Sequence, residues 1–170
     1  SLRPEMTASV ARAYIMHGLW NAPQPLKLWY WGPMFRHDRP QAGRYRQFNQ
    51  VGFESIGDDD AVVDAELILV AYNFYNDLDL PVEIHINSIG TVEERDRYKA
   101  SLVEYYRSKR SYLCDYCKKR LNKNPLRLLD CKEEQCQPVK EEAPQIIEWL
   151  DNNSKAHFTK VLEYLDELEV

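Results

Sequence analysis

The 170-residue sequence predicts an α/β protein of the α+β kind: an antiparallel strand pair with flanking helices, followed by a mainly helical second region. Three observations carry this reading. Two aromatic-rich segments with strand-like alternation flank the turn "HDRPQAG" at 37–43. The stretches around them space apolar residues three and four apart, as helices do. All four cysteines fall within 23 residues of the helical second half.

Each element follows from its local chemistry. The polar turn "RPEMT" opens a short amphipathic helix over Thr7 to His17. "LKLWYWGPMF" reads as a strand, with Gly32-Pro33 predicting a break or bulge. Pro and Gly punctuate the loop, and "RYRQFNQVGFESI" resumes as a strand, so the two form a hairpin. "DDDAVVDAELILVAYNFYNDL" is helical, with Leu67, Ala71, Phe74, Tyr75 and Leu78 at core spacing. "VEIHINSIG" alternates as a strand does, and Thr91 with Glu94 forms a capping box that opens a long helix. The pattern changes at Gly90, which predicts domains at 1–90 and 91–170.

The net charge of −5 conceals segregation: nine acids and no Lys or Arg from Val51 to Glu83, then twelve basic residues against four acids from Arg95 to Lys132. Such a block suits an anionic partner, and equally a helix with a solvated basic face. No run of about 18 apolar residues exists, so no membrane span is expected. No basic-then-apolar leader opens the chain, and a cytoplasmic location is expected.

Side chains on a strand alternate faces, so Phe48, Gln50, Gly52 and Glu54 share one surface: a ring, an amide, a gap and a carboxylate. Arg36 closes the preceding strand and reaches the same surface. Arginine binds phosphate through a planar two-pronged donor set, so the group suits a ligand with both amine and phosphate groups. A structural salt-bridge network across the hairpin is the alternative.

Three stretches, "LRPEMTA" (2–8), "FRHDRPQAGRYRQFNQVGFE" (35–54) and "NPLRLLDCK" (124–132), resemble the class II aminoacyl-tRNA synthetases, and the histidyl-tRNA synthetase family in particular. The second is similar to motif 2 of that class. The resemblance implies a partial class II antiparallel sheet followed by an insertion domain. It implies ATP-dependent activation of L-histidine to histidyl-adenylate, with Mg²⁺, and transfer to tRNA(His) by a homodimer. Glu5, Met6, Thr7, Gln50 and Glu54 then fall on the histidine pocket, and Arg36 on the α-phosphate and the activated carboxyl group. Arg44, Tyr45 and Phe48 fall on the ATP side, with Phe48 against the adenine. Met6 stands where many relatives carry Gly. The later motifs of the class are missing, which predicts a fragment of a longer synthetase that is inactive alone. A non-catalytic subunit similar to that of ATP phosphoribosyltransferase, and a zinc-containing RNA-binding module, are the alternatives.

Cys114, Cys117, Cys131 and Cys136 are separated by two, thirteen and four residues. In a cytosolic protein that spacing favours a zinc knuckle over disulfides, with free buried thiols as the alternative. The basic block surrounds it, and Lys118, Lys119 and Arg120 are candidates for contacting tRNA phosphates.

Overall fold

The computed structural model describes residues 2–170. They divide into two compact units, 2–82 with 161–170, and 83–160.

The first unit is built on α1 (Thr7–Met16), the strands β1 (Leu26–Phe35) and β2 (Gln47–Ile56), and α2 (Ala61–Asn76). The strands pair antiparallel without interruption, from Leu26 opposite Ile56 to Phe35 opposite Gln47. The bulge predicted at Gly32-Pro33 is absent, because Pro33 lies in register opposite Asn49. The outer edge explains how proline is accommodated. The Phe35 amide donates away from β2 to the Arg3 carbonyl at 2.9 Å, and Pro33 shares that parity. Its missing N–H is therefore on the edge side, where the ladder does not need it. β2 begins at Gln47 rather than Arg44, since the Arg36 amide donates to the Arg46 carbonyl at 2.9 Å and closes the loop there. Gly43 takes φ 74° at the loop tip, a conformation that favours glycine.

α2 starts at Asp60, whose carboxylate accepts from the Val62 amide at 3.0 Å. Its buried residues are Ala61, Val63 and Ala65, not the predicted stripe. Leu67 is half-buried, and Ala71, Phe74, Tyr75 and Leu78 are exposed. Phe74 meets Phe53 edge-on, 6.5 Å between ring centres, but one helix on a two-stranded ribbon closes no core around it. The strand expected at "VEIHINSIG" also does not form. Among the described residues no backbone pairs with it, and alternation without a partner makes no strand.

The second unit packs around α3 (Val92–Ser108), with α4 (Asp115–Arg120) and α5 (Gln137–Glu141) joined to it through short 3-10 turns. The capping box forms as predicted: Thr91 accepts from the Glu94 amide, and the Glu94 side chain accepts from the Thr91 amide. Tyr98, Leu102 and Tyr106, four apart, point into one core with Leu113, Leu121, Leu128, Val139, Ile146, Leu150 and all four cysteines. Tyr98 and Tyr105 spend their hydroxyls on the carbonyls of Pro144 and Val139, each at 2.9 Å. The last helix, α6, spans Asn152–Glu167.

Candidate functional site

The pocket face of the hairpin is assembled by strand parity. Phe48, Gln50, Gly52 and Glu54 of β2 are half-buried, while Gln47, Asn49, Val51 and Phe53 between them are exposed. Opposite stand Met34, Gly32, Tyr30 and Leu28 of β1. The turn before α1 meets this face, and the Thr7 hydroxyl donates to Glu54 Oε1 at 2.7 Å across 47 residues of sequence. Glu5 accepts from the Ala8 amide at 3.2 and 3.3 Å, so it caps α1 while keeping lone pairs for a ligand. Met6 is the residue between them and gives α1 no side-chain cap.

Arg36 is exposed. Its Nε donates to the Pro4 carbonyl at 3.0 Å, and its guanidinium lies 4.8 Å from the centre of the Phe48 ring. The carbonyl and the ring hold the guanidinium plane, and its remaining N–H groups stay available to an anion. A cavity of about 520 Å³ opens beside it, lined by Leu2, Phe35, Arg36, His37, Arg46 and Gln47. Arg44 and Tyr45 stand apart on the exposed loop, Arg44 reaching Asp38 at 4.0 Å.

Gln50 Oε1 is buried with no hydrogen-bond partner. An orphaned buried acceptor costs about 1–3 kcal/mol, and a ligand donor removes that cost. Gly52 is not the gap that the sequence suggests. A Cβ there would lie 2.2 Å from Tyr30 Cζ and 2.3 Å from its hydroxyl, so the Tyr30 ring already fills the space. Sequence reasoning missed Tyr30, and missed Arg3, whose guanidinium lies over Gly32 and donates to the Pro33 carbonyl at 2.9 Å. Only the strand register, which pairs Tyr30 with Gly52, reveals the first.

In the second unit the four cysteine sulfurs lie within 4.8 Å of one another. Cys114 Sγ and Cys131 Sγ are 3.9 Å apart. Four sulfurs at about 2.3 Å from a tetrahedral ion stand about 3.8 Å apart, so the cage fits with a small contraction. The Cys114 amide donates to Cys136 Sγ at 3.2 Å, and the Cys117 amide to Cys114 Sγ at 3.4 Å. Burial pushes the Cys117 and Cys136 thiols up. At Cys114 burial acts the same way, but the Cys117 amide and the neighbouring thiols outweigh it and bring the group below its ordinary value. Such a set could hold a soft or borderline cation through thiolates. On α4, Lys119 and Arg120 are exposed, and Lys118 pairs with Asp115 at 3.4 Å.

A strand–arginine loop–strand, with the Thr7-bound Glu54 carboxylate and the orphaned Gln50 amide on one face, has the donors and acceptors that suit a ligand carrying an amine and a phosphate. A sequence model described as histidyl-tRNA synthetase matches residues 1–94. The whole chain is 50% identical over 171 residues to the histidine--tRNA ligase of Halothermothrix orenii, and 47% identical to that of Desulforamulus reducens. It spans 41% of the length of each. The crystal structure of apo Staphylococcus aureus histidyl-tRNA synthetase superposes with a TM-score of 0.69 at 37% identity, covering 99% of this chain and 39% of that one. The chain belongs to the histidyl-tRNA synthetase family.

Proposed function

We propose that this chain supplies the motif 2 hairpin and the following insertion of a cytoplasmic, homodimeric histidine–tRNA ligase. In this reading L-histidine reacts with ATP to give histidyl-adenylate and pyrophosphate, and the histidyl group then passes to tRNA(His). The observation that carries it is the contact of Thr7 with Glu54 on the face that also holds the orphaned Gln50 Oε1.

Each residue has a part in that reaction. Glu5 and Thr7 hold the α-ammonium group, Gln50 lines the amino-acid pocket, and Glu54, its Oε1 fixed by Thr7, accepts from the imidazole N–H. Met6 contributes through its backbone. Arg36, steadied by Phe48 and the Pro4 carbonyl, binds the α-phosphate beside the carboxylate that attacks it. The adenine stacks on Phe48, and Arg44 and Tyr45 on the loop approach the triphosphate and the acceptor end. The chemistry is positioning and charge stabilisation, with no nucleophilic side chain. Mg²⁺ bound to ATP supplies further positive charge on the phosphates. In the insertion, Cys114, Cys117, Cys131 and Cys136 hold one structural Zn²⁺, and Lys118, Lys119 and Arg120 contact tRNA phosphates.

The test is amino-acid-dependent exchange of labelled pyrophosphate into ATP by the full-length protein, across all twenty amino acids. Exchange with histidine alone is expected. Exchange with another amino acid, or with none, would overturn the assignment.

A further inference from the structure

The Tyr30–Gly52 pair points to one more residue of the amino-acid pocket. The Tyr30 hydroxyl makes no hydrogen bond among the described residues, although its ring is held on the pocket face. A Cβ at position 52 would stand 2.2 Å from Cζ, 2.3 Å from the hydroxyl and 2.7 Å from Cε2. Contacts that short do not occur, so glycine is required opposite for the ring to lie there. Gln50 and Glu54 are the two neighbours of Gly52 on the same face. The hydroxyl therefore stands at the position in the strand between Gln50, whose amide oxygen is orphaned, and Glu54, and both of those groups accept hydrogen bonds. The Thr7 hydroxyl, another neutral donor here beside the Gln50 amide nitrogen, is already spent on Glu54.

We infer that Tyr30 is a substrate-contacting and specificity-determining residue of this pocket, its hydroxyl meeting the bound amino acid between the parts held by Gln50 and Glu54. This rests on the histidine-pocket reading and deepens it. The ligand class follows from the three groups together: an α-amino acid whose side chain carries a polar, N–H-bearing ring. A purely apolar side chain would leave the Tyr30 hydroxyl and the Gln50 amide oxygen unpaired, and Glu54 with Thr7 as its one neutral partner. Sites that must pair their own polar groups reject such ligands strongly. The ring occupies the space that glycine leaves open on this face.

Two variants of the full-length protein separate the hydroxyl from the packing. Tyr30→Phe keeps the ring over Gly52 and removes only the oxygen. Gly52→Ala keeps the oxygen and displaces the ring. Histidine-dependent pyrophosphate exchange is measured for both, with KM for histidine and for ATP taken separately and Tm recorded. For Tyr30→Phe, a rise of about tenfold in KM for histidine is expected, with KM for ATP and Tm unchanged. Gly52→Ala is expected to raise the same KM at least as far. A histidine KM within twofold of wild type in Tyr30→Phe overturns the inference, whatever the Tm. So does an equal rise in the KM for ATP, which marks a general distortion of the hairpin. The wild-type control distinguishes the two levels: absence of any histidine-dependent exchange sinks the functional reading, whereas normal exchange with an indifferent Tyr30→Phe sinks only the role of Tyr30.

Discussion

The hairpin unit and the cysteine unit solve the problem of stability in opposite ways. Between Tyr98 and Leu150 the second unit buries fourteen side chains in one cluster, and its cysteines are part of that cluster. In the first, Met34 is the only strand residue among the buried hydrophobics of the described residues, and Trp29 and Trp31 are each 71% exposed. Trp29, Trp31, Asn49 and Val51 sit with Phe74 around an open cavity of about 400 Å³. A region that closes its own core can hold a metal cage and a basic surface unaided. A two-stranded ribbon can display a polar pocket face, but its apolar reverse has little to pack against.

The largest expected effect breaks the comparison at its weaker side. The 170-residue chain alone is expected to show no histidine-dependent pyrophosphate exchange, because displacement of reacting groups by about 1 Å costs roughly 100-fold. Robust turnover by the chain alone would show that the ribbon needs no further support.

Next comes the metal. One zinc per chain is expected by elemental analysis under reducing conditions. Cys131→Ser should abolish it and loosen α3 to α5, while β1 and β2 keep their amide protection in hydrogen exchange. A metal-free protein with an unchanged melting curve would leave the four cysteines as ordinary core thiols.

Acid separates the units by a different route. Glu94 is 1% exposed and accepts from the amides of Asp151 and Thr91 and from the Ser154 hydroxyl. The Asp151 and Thr91 amides, in that order, hold its carboxyl down to about 2 against burial, which acts the other way. A depressed carboxyl stabilises the fold above its unfolded pKa of about 4.5, and that contribution drains away as the pH falls towards 2. Glu94→Gln should therefore lower the stability of the second unit at pH 7 and flatten its loss between about pH 4.5 and pH 2. An acid limb identical to that of wild type would contradict the assignment of that limb to Glu94.

The smallest effect concerns the basic surface. Charge reversal at Lys119 and Arg120 should raise the KM for tRNA several-fold, with a shallower salt dependence, and leave adenylate formation alone. Unchanged aminoacylation at subsaturating tRNA would make them a solvated face.

What the sequence made legible was local. The capping box of Thr91 and Glu94, the shared face of Phe48, Gln50 and Glu54, and the convergence of four cysteines all depend on spacing within one or two elements. What stayed hidden depends on neighbours. "VEIHINSIG" carries the alternation of a strand, yet a strand exists only when another backbone pairs with it. The Leu67 to Leu78 stripe has the right period, yet even Phe74, edge-on to Phe53, stays exposed, because one helix on a two-stranded ribbon closes no core. Pro33 suggested a bulge because the sequence does not say which edge its nitrogen faces. Gly52 looked like a gap because the occupant, Tyr30, comes from the other strand, 22 positions away, and only the register places it there.

The central claim is that the pocket face reads histidine while Arg36 handles phosphate. Its most direct test is Glu54→Gln in the full-length protein, with KM for histidine, KM for ATP and Tm measured on the same preparation. A rise in histidine KM of about tenfold or more, with ATP KM and Tm near wild type, is the expected result. A lowered Tm with an unchanged histidine KM would contradict the claim and leave Glu54 as no more than the acceptor that ties Thr7 to the hairpin.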